Sequence, residues 1–212
     1  MKKICTYGIP YIEPLNGSGG WYWGSDYTHG DLYEAEEMFR DNHPVRCSRL
    51  VFVHAPDGRV IEPVKGREGQ YFGRPAFCDG KIQILLIDFQ EERIRILQYV
   101  DAAEQIALRC ELPLSVVRDC YNLNIDQAPV MLTRQGGDGS FQILWPEKAE
   151  FKIGENESFF YRDGDKLYFN RWLEDPVYRE EVIIRSFPSG EIQECFPGTL
   201  WELPDGQKWI LQ

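Results

Sequence analysis

Long apolar runs are missing from this chain of 212 residues. Its longest strongly aliphatic stretch, Ile84–Ile87, falls far short of the roughly 20 residues a membrane-spanning helix needs. Lys2 and Lys3 are followed at once by Thr6, Gly8 and Pro10, which leaves no apolar segment of a secretory signal. Positive charge is also short: 23 Lys and Arg stand against 34 Asp and Glu, a net charge of −11. Nucleic-acid binding rests on a Lys/Arg surface that displaces counterions, so that partner is excluded, and anionic membranes with it. The excess of carboxylates reads as a device for solubility.

Histidine is scarce. His29, His43 and His54 are all there are, so any Ser-His-Asp or Cys-His site must use one of them. No phosphate-binding G-x-x-x-x-G-K-[ST], no G-x-S-x-G elbow and no H-E-x-x-H occurs. The six cysteines form no C-x-x-C pair and lie in apolar or mixed surroundings; they read as buried, reduced thiols of a cytoplasmic protein. The N-x-S triplets at Asn16 and Asn156 are then chance matches.

What the chain has in plenty is the grammar of hairpins. Gly73–Tyr99 is an apolar run, Asp79-Gly80, a second run, a polar turn at Gln90-Glu91-Glu92, and a third run. Asp-Gly between apolar segments suits a type I′ turn, which needs positive φ at both central residues. The pattern recurs at Pro56-Asp57-Gly58, Asp163-Gly164, Pro188-Ser189-Gly190 and Pro204-Asp205-Gly206. Gln105–Leu112 alternates, with Ile106, Leu108, Cys110 and Leu112 on one side, and predicts a half-buried strand. About 15 short strands at regular spacing predict an all-β fold of antiparallel meanders and hairpins. The first architecture is a small irregular β-propeller of about four blades, the alternative a two-sheet sandwich or barrel. One short helix is expected over Leu32–Phe39, capped by Asp31 with Glu34 in its first turn. The chain is read as a single domain: residues 1–47 form an arm, an aromatic loop and the helix, and residues 48–212 form the repeated meanders.

Trp21–Asp31 is the densest stretch of aromatic and small polar residues, and it has no clean period. Trp21, Trp23 and Tyr27, beside Asp26 and His29, suit stacking on a sugar or anchoring at a protein interface. The competing interpretation makes the rings ordinary core. Asp26, His29, Asp31 and Glu34 could hold a divalent cation, but turn closure and helix capping explain Asp31 and Glu34 without one, so no metal and no cofactor is assigned. The expected function is a non-catalytic binding or scaffold module that presents this loop to a protein or carbohydrate. The alternative is an Asp/Glu-dependent hydrolase acting on glycans, for which Asp88, Glu174 and Asp175 stand at strand ends or turns.

Overall fold

A computed structural model describes residues 1–26, 31–43, 48–127 and 129–212. The chain is all-β, as expected, and divides into two compact units, Met1–Cys120 and Tyr121–Gln212.

The first unit holds two antiparallel sheets. In the first, β1 (Glu13–Pro14), β2 (Trp21–Ser25), β3 (Leu50–His54) and β4 (Arg59–Ile61) follow one another in space as in sequence. The second is built on β7 (Lys81–Asp88), flanked by β5 (Gln70–Phe72) and β6 (Ala76–Cys78) on one edge and by β8 (Arg93–Val100) and β9 (Gln105–Pro113) on the other. The β6–β7 turn is the Asp79-Gly80 turn read from the sequence; φ is 52° at Asp79 and 72° at Gly80, the left-handed pair that type I′ demands. From Ile82 to Asp88, every residue of β7 is buried. One face joins Ile82, Ile84 and Leu86 to Trp23, Phe52 and Phe72 in a common core. On the same sheet, helix α1 (Leu32–Arg40) stacks Phe39 on Phe89 at 5.4 Å between ring centres. Each fully buried Leu, Ile or Phe contributes about 1.5–3 kcal/mol relative to exposure.

The second unit holds two more meanders and a hairpin. The third sheet orders β10 (Leu123–Asp126), β11 (Met131–Gln135), β12 (Ser140–Trp145) and β13 (Ala149–Lys152). The fourth orders β14 (Glu157–Asp163), β15 (Lys166–Leu173), β16 (Arg179–Ser186) and β17 (Ile192–Pro197). Met131, Phe141 and Ile143 of the third sheet pack on Leu167, Phe169 and Ile183 of the fourth. Phe141 meets Phe169 edge-on, centres 5.2 Å apart. The hairpin β18 (Thr199–Glu202) and β19 (Lys208–Leu211) sets Leu200 on Val182 and Ile184, on the other face of the fourth sheet. Four antiparallel sheets follow one another in chain order, two in each unit, like the blades of a small propeller along its sequence.

Several local expectations need correction. The aromatic stretch is no loop over Trp21–Ser25; it is strand β2, registered against β3 with Trp23 opposite Phe52. The alternation along β9 does not bury its apolar side throughout. A register shift between Ile96 and Leu97 of β8 changes the faces that meet, and Ile106 and Leu108 are exposed while Cys110 is buried. After Pro113 the chain makes a short 3-10 turn over Leu114–Val116. Of the described cysteines, all free thiols, Cys110 and Cys120 are buried, but Cys5 and Cys195 are exposed.

Candidate functional site

Of the residues expected to bind a ligand, Trp21, Trp23 and Asp26 lie among the described residues. Trp21 and Trp23 point from one side of β2 into the core, 7% and 2% exposed. They are separated by one residue, and a strand sends such pairs to the same face. The packing interpretation holds for both rings. Trp21 also lies 4.8 Å from the His54 ring, and His54 Nδ1 is 2.9 Å from Asp57 Oδ1. Asp26 follows the strand; its Oδ1 accepts the Arg49 backbone N–H at 2.7 Å, a tie between β2 and β3. Desolvation pushes the Asp26 carboxyl pKa upward against the pull of that bond. Tyr27 and His29 lie outside the described residues.

Asp31 caps α1 as expected, its Oδ1 accepting the N–H groups of Tyr33 and Glu34 at 3.0 and 3.1 Å. Among the described residues, no three His, Cys, Asp or Glu side chains converge as a metal site. Asp88 is buried and serves the fold. Desolvation raises its pKa, but Gln70 Nε2 at 2.6 Å, the Glu91 N–H at 2.9 Å and Arg95 at 3.2 Å outweigh it and hold the carboxyl ionised below its usual range.

A pocket lies instead in the second unit, where the third sheet meets β14. It encloses about 210 Å³ and is lined by Asn122, Asn124, Asp126, Thr133, Gln135, Phe141, Ser158 and Phe159. Its construction follows from strand geometry. Asn122, Asn124 and Asp126 are spaced by two and share one side, while Leu123 and Ile125 are buried on the other. Asn124 stands directly opposite Thr133, and Gln135 opposite Phe141. The Gln135 amide is engaged at both ends: Nε2 donates to the Glu157 carbonyl at 2.7 Å, and Oε1 accepts the Phe159 N–H at 3.3 Å. This bond pair fixes Ser158 and Phe159 as the far wall. Phe159 and Phe141, centres 4.9 Å apart, form the apolar base.

Behind that wall, Glu157 and Arg185 form a buried pair, Nε to Oε1 at 2.6 Å and Nη2 to Oε2 at 2.8 Å. Arg185 also donates to the Gly190 carbonyl at 2.7 Å, and Glu157 Oε2 accepts the Gly154 N–H at 2.8 Å, so both charges are well satisfied. They pin β14 to β16.

Within the pocket, the Thr133 hydroxyl donates to Asp126 Oδ2 at 2.5 Å. Desolvation pushes the Asp126 pKa up to about 7, and the Thr133 bond offsets only part of that rise. Asp126 therefore exchanges a proton near neutrality. Among the described residues, no side-chain hydrogen bond engages Asn122, Asn124 or Ser158, which leaves their amides and hydroxyl open to a ligand. None of these residues was among the expected site. The signal was present in Asn-Leu-Asn-Ile-Asp, a polar–apolar alternation over 122–126.

No protein-family model and no curated protein sequence matches the chain.

Proposed function

We propose that the chain is a non-catalytic binding module that takes a small neutral polyol, such as the end group of a carbohydrate, into the pocket of the second unit. The observation that carries this reading is the set of side-chain donors and acceptors on Asn122, Asn124 and Ser158 that line one pocket with Asp126 and Phe159. Neutral amides and hydroxyls match the paired donors and acceptors of sugar hydroxyls, and a ring receives the apolar side of a pyranose. The volume lies under the roughly 300–1,000 Å³ of drug-sized sites, which favours a single ring.

The hydrolytic alternative gains one point, since a carboxyl titrating near neutrality suits a general acid. Glycoside hydrolysis uses two carboxyls about 5–10 Å apart, and Asp126 is the one carboxylate among the lining residues, so binding is the better fit. A cytoplasmic setting accompanies this reading, in keeping with the free thiols.

Saturation-transfer NMR and calorimetry against a panel of neutral, amino and acidic mono- and disaccharides test it. The expected result is millimolar or tighter affinity for a neutral sugar, weakened at least about tenfold by Asn124→Ala, with melting temperature retained, and weakened likewise by Asp126→Asn. Silence across the panel removes the proposal, and turnover of a glycoside that Asp126→Asn abolishes replaces it with the hydrolase.

A further inference from the structure

A second surface of the same unit is independent of the pocket. On β15, Trp172 stands directly opposite Glu180 of β16, so the two side chains share one face of the fourth sheet. Tyr178 donates its hydroxyl to Glu180 Oε1 at 2.5 Å, and Thr199 at the start of β18 donates to Glu180 Oε2. Along the hairpin, Thr199 faces Leu211 and Trp201 faces Trp209, so all four lie on one side, while Leu200 turns the opposite way into the core. Two exposed aromatic sets thus adjoin at the Thr199–Glu180 bond: Trp172 and Tyr178 on the sheet, and Trp201, Trp209 and Leu211 on the outer side of the hairpin. The three tryptophans are 41%, 54% and 49% exposed and Tyr178 is 60% exposed. Trp and Tyr rarely stay this open without use, and large exposed aromatic patches mark interaction sites.

The charge around these rings is one-sided. Arg171 and Arg179 are paired with Glu181, and Lys208 with Glu202. The two hydrogen bonds to Glu180 lower its pKa, so it stays ionised. Its bond to Tyr178, with desolvation and the charge of Glu174, pushes the phenol pKa up. No cation is paired with Glu174 or Glu180 among the described residues. Ring faces carry negative potential and attract ammonium and guanidinium groups, most strongly when carboxylates stand beside them. A second copy of this chain, net −11, brings the wrong sign.

We propose that the Trp172–Tyr178–Glu180–Trp201–Trp209 face docks an extended peptide segment rich in Lys or Arg, its cations seated on the indoles and held by Glu174 and Glu180. Titration of the intact protein with hexalysine and hexaarginine peptides, with hexaglutamate as control, tests this through tryptophan fluorescence and calorimetry. Saturable binding of a cationic peptide alone is expected. A Trp201→Ala/Trp209→Ala variant weakens it at least about tenfold, and Glu174→Gln/Glu180→Gln weakens it severalfold and flattens its salt dependence, both with melting temperature retained. Absence of saturation at millimolar peptide overturns the proposal. Equal binding by the double tryptophan variant also overturns it, since bulk charge would then suffice. Sedimentation of the peptide-free protein as a dimer that the tryptophan variant dissolves would hand the face to a second copy.

Discussion

The two units use tryptophan in opposite ways. In the first, Trp21 and Trp23 are sealed beneath the sheet and join Phe52 and Phe72 in an apolar core. In the second, phenylalanines and aliphatic side chains make the core, and Trp172, Trp201 and Trp209 are left largely in solvent. The first unit gathers its tryptophans into one dense stretch of sequence, and the second spreads them over separate strands. Density of aromatics along a chain therefore says little about exposure; the face of the strand decides it. The units also differ in what their interiors hold. A charge pair, Glu157–Arg185, sits fully enclosed in the second.

The most damaging test of this contrast is loss of one enclosed charge. Arg185→Ala strands the Glu157 carboxylate and is expected to cost about 3–5 kcal/mol in chemical denaturation. A cost under about 1 kcal/mol would mean that water reaches the pair. Trp23→Ala follows, at about 3–5 kcal/mol, because it opens a cavity under β2 and β3. Retained stability there would restore the binding role once expected of that ring.

Asp126 gives an intermediate and pH-dependent effect. The folded carboxyl, near 7, holds its proton more tightly than the unfolded chain does at 3.8. Its favourable contribution is complete below about pH 4 and is lost as pH climbs to about 7, by at most about 1.4 kcal/mol per pH unit. Denaturation curves of wild type minus Asp126→Asn should show wild type losing ground across that window and levelling above it; a gain in the same window contradicts the desolvation. The smallest effect belongs to Trp201→Ala, expected within about 0.5–1 kcal/mol of wild type. A loss equal to that of Trp23→Ala would place the ring in a core and erase the contrast between the units.

Turn chemistry carried most of what was legible. Asp79-Gly80 announced its hairpin because an Asp-Gly pair accepts two left-handed residues cheaply. Asp31 announced α1 in the same way. Burial was less legible where composition gave no contrast. Trp21-Tyr-Trp-Gly-Ser25 has no charged residue to mark its outer side, so its period of two is hidden. Bulges erase the signal differently. Gln105–Leu112 alternates cleanly, yet one shifted pair moves Leu108 opposite Leu97 and leaves it bare. The pocket was illegible for a third reason: Ser158 and Phe159 join Asn124 and Asp126 only through a fold that brings β14 beside the third sheet.

The Gln135 amide reads only main-chain atoms of its neighbour, the carbonyl of residue 157 and the N–H of residue 159. Nothing in that contact depends on which side chain residue 158 carries. The rim of the cavity can therefore be rewritten at that position, from hydroxyl to amide to cation, while the joint beneath it stays whole. Such a frame lends itself to changing what it recognises, by descent or by engineering, with little risk to its assembly.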